Sequence, residues 1–311
     1  MSSYPTRGFP SRALSSLLLA ALVLFVAGCK PTPTELPGAS AEPSTAVRML
    51  AHALQRNDLV GYATNAVPRA QYRGLQQAWS KDRSRWPLTE LPLAKRLPEV
   101  LATLAAPDAE QQLQHAFDTQ FGGQAVSLRQ AAHSLGLFGV QYLRNENDYT
   151  PEQRDHYIQL VQALSAWAAQ APLSERKRAH AAIAQLCAAA RRTGIRSDAD
   201  LRALGMDESL RRLGPFLADL KAVLADYGLD LGATAGALRT GLVSQKGDLA
   251  VVRIQYPLDG EQIDTTAVLV NREGHWYLRS ILDDVQTLLG TTADSQAATT
   301  ALPHPRTPAK R

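Results

Sequence analysis

Five acidic or histidine side chains stand where they could transfer protons. They are Asp155, His156, His275, Asp283 and Asp284. Asp155 and His156 are neighbours on an expected helix, where adjacent side chains diverge by about 100° and do not form a hydrogen-bonded pair unaided. We therefore expect His156 at the surface. Asp283 and Asp284 stand at an expected strand-to-helix junction, where acids usually complement the positive helix N-terminus.

A hydrolytic site would need two or more of these five side chains to converge in one cleft. The chain has no Gly-rich phosphate loop, no His-Glu-x-x-His and no Gly-x-Ser-x-Gly motif. We therefore predict no catalytic residue and no cofactor site.

Metal binding is not indicated either. The histidines show no pair at a metal-ligand spacing. Residues 145–148, Asn-Glu-Asn-Asp, begin like a calcium loop, but the sixth position lacks glycine, and His156 stands where the closing glutamate belongs. We predict no metal site and a polar loop between two helices.

Aromatic and basic residues alternate over 79–86, Trp-Ser-Lys-Asp-Arg-Ser-Arg-Trp. This composition suits a phosphate-rich surface or a partner groove, but Asp82 interrupts it. The interpretation we prefer places Trp79 in the core and the basic residues on an exposed turn.

Charge and cysteine content limit the possible partners and cross-links. The net charge is +4, but two net positive charges precede residue 29 and two follow residue 290, so the body between them is neutral. A neutral body has no sustained field for a polyanion, and we expect no nucleic-acid partner. Besides Cys29 the chain has only Cys187, which lies in the Ala-rich segment 181–192 and is expected to be a small buried residue.

The first 28 residues have the order of a secretory signal: basic residues, an apolar run over about 13–26, then Ala27 and Gly28. The run is shorter than the roughly 20 residues that span a bilayer. Val26-Ala27-Gly28-Cys29 resembles the lipobox of bacterial lipoproteins. The resemblance implies cleavage between Gly28 and Cys29 and a lipid on Cys29, which would attach the chain to a membrane. In the alternative, Cys29 is an ordinary residue near a signal that is cleaved elsewhere.

The same resemblance implies a location. Lys30, rather than aspartate, follows the cysteine, and the sorting rule of that family then implies the outer membrane, with the protein on its periplasmic face. Residues 29–43 are Pro-rich and are expected to form a flexible tether, and residues 291–311 are expected to be a disordered tail.

Residues 44–240 are rich in Ala, Leu, Gln and Arg and predict seven to nine helices. Capping boxes are expected at Ser127–Gln130 and Thr150–Gln153, the second opening a helix that ends near Gln170. On the first helix, one face at helical spacing carries Leu128, Leu135, Phe138 and Tyr142. On the second helix, the side chains expected to point inward are Tyr157, Leu160, Leu164 and Trp167.

Three further features describe the helical region. A helix from Ser174 is expected to end near Gly194, and another is expected to begin at Pro215 and end at Gly228. Gly136 and Gly139 inside a helix predict close helix packing, because glycine there is otherwise unfavourable.

Residues 241–290 predict a three-stranded antiparallel meander and a short final helix over about 283–289. Val252, Ile254 and Tyr256 alternate with more polar neighbours, which predicts one covered sheet face. The predicted fold class is therefore α+β: mostly α-helical with a C-terminal sheet, whether as one domain or two.

Residues 46–63 and 247–280 together weakly resemble the first helix and closing sheet of secreted domains related to the nuclear transport factor two-like fold. The resemblance implies a curved sheet that wraps a helix and can leave a pocket. That fold hosts enzymes, binders and scaffolds, so it does not specify a function.

These observations lead to one main hypothesis and two alternatives. The first is a lipid-anchored periplasmic lipoprotein acting as a non-catalytic binding or envelope-assembly component, with a possible envelope protein partner. The alternatives are an envelope hydrolase acting on cell wall or lipid, and a carrier with an apolar pocket between the sheet and the helix near Ala46, beside Tyr256 and Trp276.

Overall fold

The structure is a computed structural model that describes residues 42–90, 96–146 and 149–300, with backbone alone over 291–300. The predicted signal, the lipobox with Gly28 and Cys29, the tether to residue 41 and the tail from residue 301 lie outside the described residues. No described helix is long and apolar enough to span a bilayer.

The described residues form eleven α-helices and one short 3-10 turn, and ten of these α-helices precede the sheet, where seven to nine were predicted. The α-helices are α1 (Pro43–Gln55), α2 (Leu59–Ala66), α3 (Arg69–Ser80), α4 (Leu97–Ala105), α5 (Ala109–Gln120), α6 (Ala125–Asn145), α7 (Pro151–Gln170), α8 (Arg176–Thr193), α9 (Asp198–Asp226), α10 (Leu231–Gly236) and α11 (Arg279–Thr300). The 3-10 turn is Leu88–Glu90.

In the part of the chain that the structure describes, four strands, not three, form one antiparallel sheet in the order β1-β2-β3-β4. They are β1 (Arg239–Lys246), β2 (Leu249–Leu258), β3 (Glu261–Arg272) and β4 (His275–Leu278). The predicted α+β class, mostly helical with a C-terminal sheet, is confirmed. The prediction missed β1 and extended the helical region to residue 240, because nearly every β1 side chain is exposed and the strand carries no apolar alternation.

The sheet is covered on the face that the alternation predicted. Helix α1 lies on it, with Ala46 and Val47 packed against Val252, Leu269 and Trp276. These side chains therefore occupy the space between the sheet and the helix near Ala46, where the alternative hypothesis placed an apolar pocket.

A larger core joins the helices around α3 and α9. Trp79 and Leu75 of α3 are fully buried with Leu210 of α9, and Val285 of α11 packs into the same core. Since α11 also follows β4 directly, it ties the sheet to this helical core.

Helix α9 corrects the prediction of a helix beginning at Pro215. It runs from Asp198 through Pro215 to Asp226, with a kink at Gly205, whose φ is +74°. A Cβ at Gly214 would lie 2.6 Å from the carbonyl oxygen of Asn57, so the Gly-Pro pair marks a close helix contact rather than a helix start. The expected ends at Gly194 and Gly228 are confirmed, with φ of +66° and +93°.

The helix boundaries follow their caps only in part. The capping box at Thr150 and Gln153 is confirmed, and α7 ends at Gln170 as predicted. The box at Ser127–Gln130 is wrong, because α6 begins two residues earlier at Ala125 and Gln124 makes no side-chain cap. Helix α11 begins at Arg279, before the predicted residue 283, and continues to Thr300 through a segment predicted to be disordered.

Helix α7 is fixed beside β3, where β4 does not reach. Strand β4 pairs only with residues 269–272 of β3. Farther along β3, the Gln159 side chain donates to the Asp264 carbonyl at 2.9 Å and accepts from the Asp264 N–H at 2.9 Å. The side-chain amide thus replaces a strand partner at this position and holds α7, and with it α6, against the sheet.

Candidate interaction surface

The structure does not join the proton-transfer candidates into one site. Within the described residues, no hydrogen bond or ion pair links any two of Asp155, His156, His275, Asp283 and Asp284. Asp155 is exposed on α7, and His275 Nδ1 lies 3.1 Å from the Glu273 carbonyl oxygen. The convergence that a hydrolase would need is therefore not seen in this part of the chain.

His156 corrects the prediction of a surface histidine. It is half-buried, and its Nε2 lies 2.7 Å from Tyr256 Oη. Burial lowers the pKa of His156 and raises the pKa of Tyr256 to about 12. The pair joins α7 to β2 as two neutral groups at neutral pH.

The interpretation of Asp283 and Asp284 as helix-capping acids is also wrong. Both lie beyond the first turn of α11, which starts at Arg279. Asp283 instead forms an ion pair with Arg279 at 3.5 Å, and both partners are exposed. Such a pair contributes little to stability.

Two other features singled out in the sequence, the calcium-like loop and Cys187, can also be located in the structure. In the loop resembling a calcium site, Asn145 donates to the Gln141 carbonyl at 2.9 Å, while Asn147 and Asp148 lie outside the described residues. Among the side chains that the structure describes, no group of three His, Cys, Asp or Glu could hold a metal ion. Cys187 is a buried free thiol, as predicted, and burial raises its pKa.

The segment 79–86 belongs to the core more fully than predicted. Trp79 is fully buried and donates its indole N–H to the Leu201 carbonyl at 2.8 Å. Trp86 is also buried, and the Arg85 guanidinium lies 5.1 Å above the Trp79 ring. Asp82 pairs with both Arg85 and Arg202. These contacts attach the segment to the rest of the fold.

Of all the large apolar side chains that the structure describes, the most exposed lie on a helical hairpin made of α6 and α7. As predicted, two glycines of α6 permit close packing: a Cβ at Gly136 would lie 2.4 Å from Ser165 Oγ, and one at Gly139 would lie 3.1 Å from Val161 Cγ1. The backbone of α6 therefore lies directly on α7.

This contact leaves the apolar stripe of α6 exposed to solvent. Leu135, Phe138 and Tyr142 are 68%, 69% and 55% exposed, so the face that their spacing predicts is open to solvent. Spaced three and four residues apart, they fall within about 60° of one another around the helix. Their sector lies to one side of the buried face that carries Gly136 and Leu143.

Helix α7 adds partly exposed apolar side chains to the hairpin. Leu160 and Trp167 pack inward against the sheet, as predicted. Tyr157 and Leu164 are each 38% exposed, which corrects their predicted burial. We call Leu135, Phe138, Tyr142, Tyr157 and Leu164 the hairpin face.

The other flank of the hairpin holds a shallow cleft of about 560 Å³ above Gly136. Leu137 and Val140 line it from α6, and Ser165 and Ala166 line it from α7. None of the five hairpin-face residues lines this cleft, so the two surfaces are separate.

The middle of each hairpin helix lacks formal charge. Residues 130–143 of α6 and 156–170 of α7 contain no Asp, Glu, Lys or Arg. Charged side chains normally cover solvent-facing helix surfaces, and protein interfaces are depleted of them. An uncharged, partly aromatic and exposed surface gives this α+β protein a candidate interaction surface.

The hairpin face was missed in the sequence, although a signal was present. Around α6, Gly136 lies about 100° or more from Leu135, Phe138 and Tyr142. The side of α6 with Gly136 and the side with these three larger residues therefore cannot both face α7. Gly136 lies at the contact, and the larger residues remain exposed.

No family model, curated protein or solved structure matches this chain.

Proposed function

We propose that this chain is a lipid-anchored lipoprotein on the periplasmic face of the outer membrane and that it acts as a non-catalytic binding or envelope-assembly component. The hairpin face is its binding surface. The observation that carries the binding role is the exposure of Leu135, Phe138 and Tyr142 within residues 130–143 of α6, which contain no charged side chain. The anchoring role rests on the resemblance of Val26–Cys29 to a lipobox.

The two roles fit together physically. Several acyl chains on one cysteine hold a protein on a membrane, because each buried methylene adds about 0.8 kcal/mol. Confinement to a membrane raises the effective concentration of the bound partners, so a surface of moderate affinity becomes occupied. A neutral body adds no electrostatic barrier to such contacts.

The anchor is tested by replacing each cysteine in turn in the full chain. Cys29→Ser removes the acceptor of the lipid, so we expect the protein to leave the membrane fraction. Cys187→Ala is the matched control, because Cys187 is buried and its variant should stay with the membranes. Equal membrane recovery of Cys29→Ser and the wild type would contradict the anchor.

The same membranes test the binding surface. In a native gel of gently solubilised envelopes, Phe138→Glu should remain anchored but migrate as a smaller species than the wild type. Leu137→Glu is the control, since Leu137 is 62% exposed on the other flank of the same helix. A Phe138→Glu variant that migrates with the wild type would contradict binding through this face.

A further inference from the structure

The size of the hairpin face suggests what covers it. Taking about 200 Å² for each fully exposed large side chain, the exposed fractions leave about 500 Å² of the five side chains in solvent. A stable interface buries about 800 Å² on each partner, and about 65% of a homodimer interface is apolar. The exposed surface therefore matches the apolar part of one side of a dimer interface.

The charge pattern selects the kind of partner. Residues 130–143 and 156–170 present neither a positive nor a negative side chain. Anionic lipid, nucleic acid or a charged protein groove would require basic or acidic residues on this surface. An uncharged face is complementary to itself, since two copies meet without repulsion.

We propose that the hairpin face docks onto the same face of a second copy of this chain. This inference rests on the proposed function, because it names the partner of the binding surface given there. Two antiparallel hairpins then form a symmetric four-helix contact, with α6 and α7 of each copy on either side of the apolar layer.

Phe138 is the expected anchor of this contact. It has the largest exposed fraction of the face and lies one helical turn from both Leu135 and Tyr142. Large aromatic side chains at the centre of an interface contribute most of its binding energy. A charge at position 138 would be buried without a counter-charge in the dimer but would stay solvated in the monomer.

The experiment is sedimentation of the purified full-length protein in a density-matched detergent over a range of concentrations. The wild type should sediment as a dimer. Phe138→Glu should associate at least about thirtyfold more weakly, since loss of such an anchor costs about 2 kcal/mol or more. Leu137→Glu, which places the same charge one residue away on the other flank, should remain dimeric.

Three results would overturn the proposal: a monomeric wild type at all concentrations, a dimer that survives Phe138→Glu, or a dimer lost only in Leu137→Glu. If the purified wild type is monomeric while the native-gel complex still depends on Phe138, a different protein occupies the face. In that case the proposed binding function stands and self-association fails.

A monomer that instead binds lipid vesicles through Phe138 would identify a membrane surface as the occupant. Circular dichroism of each variant controls for folding.

Discussion

At the scale of single residues, neighbours in space rather than in sequence set the chemistry of His156. Asp155, its neighbour in sequence, is exposed and points elsewhere, whereas Tyr256, one hundred residues away, lies within hydrogen-bonding distance. The aromatic rings of Tyr157 and Tyr256 also lie within about 6 Å of the imidazole. Burial among these neighbours removes water from the imidazole, and this desolvation lowers the pKa of His156.

This burial predicts a pH dependence of stability. Burial lowers the pKa of His156 in the folded chain. Below the ordinary histidine pKa of about 6.5, the unfolded chain therefore binds a proton at His156 more readily than the folded chain does. The free energy of unfolding should therefore fall as the pH drops from 7.5 to 5.5. Urea unfolding at several pH values should give a smaller fall for His156→Gln than for the wild type.

A matched control separates His156 from the other histidines. His133 is exposed on α6, and His133→Gln leaves the His156–Tyr256 pair in place. Its pH dependence should follow that of the wild type. The explanation fails if His156→Gln keeps the full wild-type pH dependence.

At the scale of secondary-structure elements, small residues decide which side of α6 is buried. Gly136 lets α6 approach Ser165 more closely than any larger residue would allow. Larger apolar residues on the neighbouring sector then remain in solvent. The amphipathic pattern of the helix thus describes two surfaces, one for α7 and one that the fold leaves open.

This packing predicts that two alanine substitutions lower the free energy of unfolding by different amounts. Gly136→Ala places a Cβ 2.4 Å from Ser165 Oγ. The resulting overpacking should cost about 1–3 kcal/mol, more than the roughly 1 kcal/mol that alanine gains in helix propensity. Gly139→Ala meets Val161 at 3.1 Å and should cost less. Chemical denaturation measures both variants, and an unchanged or higher stability of Gly136→Ala would refute the close contact.

Strand β1 illustrates the limit of pattern reading at the same scale. Its residues pair with β2 from Arg239 to Lys246, with an irregularity between Leu242 and Ser244. Backbone hydrogen bonds hold it, and its side chains gain almost no burial. Side-chain periodicity therefore predicted β2, β3 and β4 but carried no signal for β1.

At the scale of the whole molecule, α7 and α11 connect the sheet to the helices. Gln159 of α7 bonds to the backbone of β3, and α11 carries Val285 into the helical core directly after β4. The charge balance of residues 29–290 is zero. Long-range repulsion between two such bodies is then small, which leaves association to the apolar surface.

Self-association at this scale predicts a concentration-dependent melting temperature. A dimer is stabilised by mass action, so the Tm of the wild type should rise with protein concentration. The Tm of Phe138→Glu should be nearly independent of concentration. Differential scanning calorimetry at several concentrations provides the measurement, and a flat wild-type profile would argue for a monomer.

The sequence by itself determined the fold class, the capping box of α7, the left-handed helix ends at Gly194 and Gly228, and the burial of Trp79 and Cys187. These features follow from local backbone preference or from strong apolar character, which act over a few residues. Only the tertiary structure decided that Phe138 faces solvent and that His156 meets Tyr256. The physical reason is that a helix has several faces able to pack, and the choice between them depends on the shape of an element distant in sequence.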